Sequence, residues 1–127
     1  MRINEPTVLA EVTAAFARYE RALMDNDLDA LDDLFWPSEH TTRFGPGQSL
    51  YGIDAIRAFR VGRVGGSAQR TLANTVITTF GTDFATASTE FHRVGEPRTG
   101  RQTQTWIRTD GGWRVVNAHI SFLETGN

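Results

Sequence analysis

The chain contains no cysteine and no lysine. The first absence removes disulfides, thiolate nucleophiles and cysteine-ligated metals together, and leaves the redox compartment undetermined by this route. The second removes Schiff-base chemistry, a phosphate-loop lysine and the Ser-Lys hydrolase arrangement. All 13 basic residues are therefore arginine. Genomic base composition is explanation enough for the missing lysine, but the chemical consequence stands. Any carboxylate recognised here must be met by arginine, backbone or a neutral donor, and the planar guanidinium fork suits carboxylates well. There is no basic run, and net charge is −2 with acidic residues crowded between Asp25 and Asp33, so the electrostatic footprint of a nucleic-acid binder is missing. No apolar run approaches the roughly 20 residues of a membrane-spanning helix. The polar start, Met1 to Pro6, lacks the apolar centre of a signal peptide, which makes cytoplasm the expected location.

What is present describes one domain over residues 1–127, long enough for a real core and too short for two. Pro6 suits a helix start, and Val8, Val12, Phe16, Tyr19 and Leu23 recur at three- and four-residue steps as a single apolar stripe. Asp25-Asn26-Asp27 then supplies a stop and a new cap. A short second helix over 29–35 turns Leu31, Leu34 and Phe35 inward and ends at Trp36-Pro37, since proline disfavours helix in the residue before it. Residues 38–44 read as a strand broken by Gly45-Pro46-Gly47; residues 48–51 read as a short extended piece, and a third helix follows from Asp54 to near Gly62. Beyond Gly65-Gly66, four strands fit the remainder, over 70–80, 84–93, 100–109 and 113–123, with Gly, Asp and Pro at the turns between them. Helices in front and long strands behind make an α+β fold, with three helices packed on the concave face of a strongly curved, mostly antiparallel sheet.

Strand parity suggests where chemistry could sit. Trp113, Val115, Asn117, His119 and Ser121 alternate onto one face of the last strand, and Gln102, Gln104 and Trp106 share a face of the strand before it. If Glu90, Gln104 and His119 converge, they form a hydrogen-bonding wall inside the curve. A lone strand histidine more often faces water or satisfies a neighbour. Tyr19 is more informative, because a tyrosine centred on an apolar stripe buries a hydroxyl that needs a partner. Arg43 in the first strand reads equally well as a surface residue. His40, His92 and His119 show no paired metal-ligand spacing, and no metal or other cofactor is expected. Neither a Gly-x-Ser-x-Gly elbow nor a Gly-rich dinucleotide loop after a strand is present.

Taken together, Leu34-Phe35-Trp36, Thr42-Arg43-Phe44-Gly45, Leu50-Tyr51-Gly52, Ile56-Arg57-Ala58-Phe59-Arg60, Thr89-Glu90-Phe91, Gly100-Arg101-Gln102-Thr103-Gln104-Thr105-Trp106, Gly112-Trp113-Arg114-Val115-Val116 and Ala118-His119-Ile120-Ser121 resemble the AtzH-like family. That family lies within the nuclear-transport-factor-2 (NTF2-like) and ketosteroid-isomerase superfamily. The resemblance runs essentially end to end and implies a cone-shaped domain that forms homodimers. It also implies a decarboxylating amidohydrolase of the type that converts 1,3-dicarboxyurea to allophanate in cyanuric-acid or ureide breakdown, acting without a covalent nucleophile. The family's proposed catalytic pair, a helix-one tyrosine and a first-strand arginine, falls on Tyr19 and Arg43, and Glu90, Gln104, Trp106 and His119 are the expected contacts to a small polar carboxylated substrate. Fold alone does not decide chemistry. Two other readings stand beside this one: a non-catalytic partner of an amidase, and a ketosteroid-type isomerase, for which Glu90 is the only inward candidate base.

Overall fold

A computed structural model of the protein describes residues 1–124. Helix α1 (Pro6–Asp25) starts with Pro6 in its first turn and the Glu5 carboxylate accepting from the Val8 N–H at 3.1 Å. The expected stripe of Val8, Val12, Phe16, Tyr19 and Leu23 is its buried face. Asn26 ends the helix in the left-handed conformation (φ 51°), a conformation that asparagine tolerates, and Asp27 caps α2 (Leu28–Leu34) by accepting from the Ala30 N–H at 3.1 Å. Phe35 lies just beyond α2 in extended backbone, fully buried, bridging to Val115 in parallel fashion.

The strand expected over 38–44 is shorter, running as β1 (Thr42–Gly45). Ser38 is the reason. Its hydroxyl accepts from the His40 N–H at 3.0 Å, a local bond that turns the chain, and Thr41 then donates its hydroxyl to the Trp36 carbonyl at 2.8 Å. Strand β2 (Gln48–Tyr51) forms a hairpin with β1, and α3 (Ile53–Gly62) buries Ile53, Ile56 and Arg60. The four remaining strands, β3 (Arg70–Phe80), β4 (Phe84–Arg93), β5 (Gly100–Thr109) and β6 (Gly112–Phe122), fall within one residue of expectation.

One six-stranded sheet results, ordered β2-β1-β6-β5-β4-β3, with only the β1–β6 pair parallel. Its inner face, from Ala85, Ala87, Phe91, Trp106, Val115, Ala118 and Ile120, meets α1 and α2 in a shared core. Two irregularities bend it. One lies between Ala73 and Val76, where Asn74 takes φ 53°; the other lies in β6, where Trp106 pairs with Val115 but Thr105 with Asn117, leaving Val116 as the extra residue of a bulge. The second bulge reverses the side-chain alternation. Trp113 and Val115 point inward before it and Ala118 and Ile120 after it, so His119 faces outward and the uninterrupted alternation expected for this strand does not hold. Among the described residues no helix is long and apolar enough to cross a membrane.

Gly100 ties the sheet to the interior. It sits opposite Phe91, and a methyl group added at Gly100 would lie 2.2 Å from the edge of that ring. Gly100→Ala is expected to destabilise by about 1–3 kcal/mol, because a fully buried phenylalanine must move to admit the methyl group. A denaturant titration that gave an unchanged midpoint would contradict this.

Candidate functional site

Arginine collects on the inner side of this sheet although the chain is net acidic. Arg43 comes from β1, Arg60 from α3, Arg63 from the residue capping α3, Arg70 from the start of β3, and Arg93 from the end of β4. Each guanidinium lies over an aromatic ring. Arg43 and Arg63 are 4.8 and 5.3 Å from the centroid of Phe59, Arg70 and Arg93 are 4.5 and 5.7 Å from Phe91, and Arg60 is 4.2 Å from Phe35. Stacking occupies the faces of these cations and leaves their N–H edges to find partners.

Two of them have found carboxylates. Arg70 binds Glu20 through both fork positions, at 3.0 and 2.7 Å, and also donates to the Gln102 amide oxygen at 3.1 Å. Arg60 donates to Asp32 at 3.2 Å. The other three differ: among the described residues no carboxylate lies within salt-bridge distance of Arg43, Arg63 or Arg93, and each carries a buried N–H without a partner, at Nη1 of Arg43 and at Nε of Arg63 and Arg93. These three guanidiniums, with Phe59 and Ile120, wall one cavity of about 190 Å³ that also touches Pro46, Gln48 and residues 66–68. The volume is below the roughly 300 Å³ lower end of drug-sized sites, so a small molecule fits.

Electrostatics agrees with the geometry. Burial holds the Arg43 guanidinium well below its ordinary value, at about 10; the Tyr19 oxygen pulls it back up, and the cations of Arg63, Arg60 and Arg70 push it further down. Burial likewise lowers Arg60, Arg63 and Arg93. Tyr19 acts on Arg43, Arg60 and Arg63 alike, which puts its phenol oxygen within electrostatic reach of all three.

The expected site residues divide between the two faces. Tyr19 is buried, its ring 6.1 Å from Phe35, and is not itself a wall of the cavity, whereas Arg43 is. Gln104 and Trp106 are fully buried and bonded to each other, Trp106 donating to the Gln104 oxygen at 3.2 Å, while the Gln104 amide nitrogen has no partner. Glu90 and His119 lie on the outer face, so the expected wall of Glu90, Gln104 and His119 does not form. Glu90 has the parity opposite to Thr89 and Phe91 and accepts from Asn74 at 3.1 Å, and His119 was turned out by the Val116 bulge to stand edge-on to Phe44. Sequence reasoning missed Arg60, Arg63 and Arg93. Their signal was present, since Arg60 and Arg63 extend the stripe begun by Ile53 and Ile56, and Arg93 ends the inward series Ala85, Ala87, Thr89, Phe91. Among the described residues no three His, Asp or Glu side chains gather to hold a metal ion.

Comparison with known proteins bears on this site. The AtzH-like family model matches residues 1–126. A protein of unknown function from Pectobacterium atrosepticum is 55% identical, with 96% of this chain and 95% of that chain covered and a TM-score of 0.93. A cystatin-like fold protein from Burkholderia xenovorans is 46% identical, with 99% of each chain covered and a TM-score of 0.94. An NTF2-like superfamily protein from Salmonella enterica is 29% identical over 94% of both chains, with a TM-score of 0.77. None of the curated proteins matches the sequence.

An anion should relieve the charge that these arginines carry. The native pKa of Arg43 lies below its unfolded value, so the folded state binds its proton less tightly, and at neutral pH the charged form opposes folding. Arg43→Met is therefore expected to raise thermal stability at pH 7 by a few degrees, on the order of 1 kcal/mol, and to shrink any further rise on adding a dicarboxylate relative to the wild type. Calorimetric melts with and without ligand check both parts; a destabilised variant would count against an uncompensated cation.

Proposed function

This chain belongs to the AtzH-like family, and from that premise we propose that it is a decarboxylating amidohydrolase acting on a carboxylated urea, with 1,3-dicarboxyurea going to allophanate as the type reaction. The observation that carries the reading is the position of Arg43, which walls the cavity with Arg63 and Arg93 and is electrostatically coupled to Tyr19. In the reaction the bond between a urea nitrogen and the carbon of its carboxylate breaks. Carbon dioxide leaves, and the electron pair stays on nitrogen, where it is shared with the urea carbonyl oxygen.

Arg43 donates to that carbonyl oxygen. Its hydrogen bond strengthens as negative charge arrives, so it favours the transition state over the bound substrate. Had Arg43 held the departing carboxylate instead, it would have stabilised the ground state and slowed the step. Tyr19 gives its phenolic proton to the nitrogen, and the resulting phenolate lies within reach of Arg43, Arg60 and Arg63 until solvent returns the proton. Tyr19 is buried and outside the cavity's lining, so proton transfer on this reading requires the substrate to reach deeper than the walls formed by Arg43, Arg63 and Arg93. No covalent intermediate is needed. An isomerase reading is disfavoured by the cavity, because a steroid site needs a carboxylate base in apolar surroundings and Glu90 is on the other face.

Turnover of enzymatically generated 1,3-dicarboxyurea tests the proposal. Tyr19→Phe is expected to lower kcat by about 10²–10⁴-fold with ligand affinity nearly unchanged, the usual range for loss of a general acid. Equal rates for the two proteins would remove Tyr19 from the mechanism. Binding without turnover in the wild type would leave a non-catalytic partner of an amidase.

A further inference from the structure

We propose that Arg63 and Arg93 form a second anion clamp in the same cavity, so that the site selects ligands carrying two carboxylates over otherwise similar ligands carrying one. The inference rests on the carboxylated-urea reading for its substrate class and on the structure for its geometry. Arg43 is the most deeply buried of the three unpaired guanidiniums, and Arg63 and Arg93 lie nearer the surface. Arg43 and Arg63 both stack on Phe59, so the two cations cannot be farther apart than their two distances to that ring allow. Arg93 is braced separately, 5.7 Å from Phe91 and 5.2 Å from Phe122.

Those supports are rigid. Phe91 is fully buried against Gly100, and Phe122 meets Phe91 edge to face at 5.6 Å. Arg63 and Arg93 wall the same cavity; beyond burial, the Arg93 cation pushes Arg63 down, Arg93 itself is pushed down by Arg70 and pulled up by Glu96, and each keeps a buried Nε–H without a partner among the described residues. One carboxylate in the cavity that both residues wall offsets the two charges together. A diacid that lacks the urea carbonyl sets its second carboxylate against Arg43, whereas in the substrate complex Arg43 meets that carbonyl and Arg63 and Arg93 meet the carboxylate the reaction retains. Held there, it positions the opposite end of the substrate toward Tyr19 and contributes to ground state and transition state alike, which makes these arginines specificity residues.

The test uses two stable probes, glutarate and butyrate. Glutarate separates its two carboxyl carbons by the same number of bonds as 1,3-dicarboxyurea, and butyrate has one carboxylate on a chain of similar reach. Titration calorimetry on the wild type is expected to show glutarate binding about tenfold or more tightly than butyrate, the difference of one charge-assisted clamp. Arg63→Gln with Arg93→Gln should bring the two affinities close together, whereas Arg101→Gln, an exposed charge on the outer face, should leave the ratio unchanged. Arg93→Lys keeps the charge but loses the planar fork; as a gentler variant, it should lower the ratio partway. Equal affinities in the wild type, or a ratio that survives in the double variant, would overturn the clamp. Turnover separates this from the catalytic reading: a double variant with normal KM for dicarboxyurea sinks the clamp alone, and an inactive wild type that prefers glutarate sinks the catalysis alone.

Discussion

Stacking of guanidinium faces on phenylalanine rings allows so small a fold to keep Arg43, Arg60, Arg63, Arg70 and Arg93 on the inner side of its sheet. Magnitudes show that stacking is not sufficient. A desolvated cation–π contact is worth about 2 kcal/mol, whereas taking a cation out of water costs several. The balance is closed by carboxylates for two of the five, through Glu20 to Arg70 and Asp32 to Arg60. For Arg43, Arg63 and Arg93 it is not closed within the described chain; each keeps a buried donor without a partner, and the three residues wall one cavity.

The same contacts join the fold to the site. Phe91 is at once a core residue, a platform for Arg70 and Arg93, and the reason position 100 has no side chain. Phe59 joins Arg43, from a strand, to Arg63, from a helix end. A change in the core beneath either ring therefore moves a cation, and cavity electrostatics depends on packing that makes no contact with the ligand.

Most elements were legible because their boundaries have local causes, such as the αL asparagine after α1, the Asp27 cap of α2 and the glycine-rich turns between strands; the start of β1, set by the Ser38 turn, was not. Which face each strand buries was only half legible. Period-two alternation holds along β5, placing Gln102, Gln104 and Trp106 inward as their shared parity suggested. In β6 the Val116 bulge reverses it, and nothing in that local sequence marks the extra residue, because the bulge is a property of the pairing with β5. His119 was therefore read onto a face it does not occupy. Tyr19 was legible as a polar group on an apolar stripe, while Arg43 gained its weight from a family resemblance. Arg63 and Arg93 escaped notice because a cation at the end of an inward series looks like the edge of the core, and only the tertiary structure brings two such edges to one cavity.

Glu20 and Asp32 neutralise Arg70 and Arg60, whereas, with Glu96 acting on Arg93 only from farther away, no carboxylate among the described residues lies within salt-bridge distance of Arg43, Arg63 or Arg93. Lysine could not substitute for them. Its ammonium is a strongly hydrated point charge with no flat face to rest on a ring and no fork to match a carboxylate. Arginine remains charged when partly desolvated, even where burial holds Arg43 at about 10, still well above neutrality. The cavity therefore stays cationic at physiological pH, and its unfavourable self-interaction is removed only by an incoming anion. On the proposed reading a ligand carboxylate supplies the missing counter-charge, and an internal carboxylate in its place would make the fold more stable while filling the cavity.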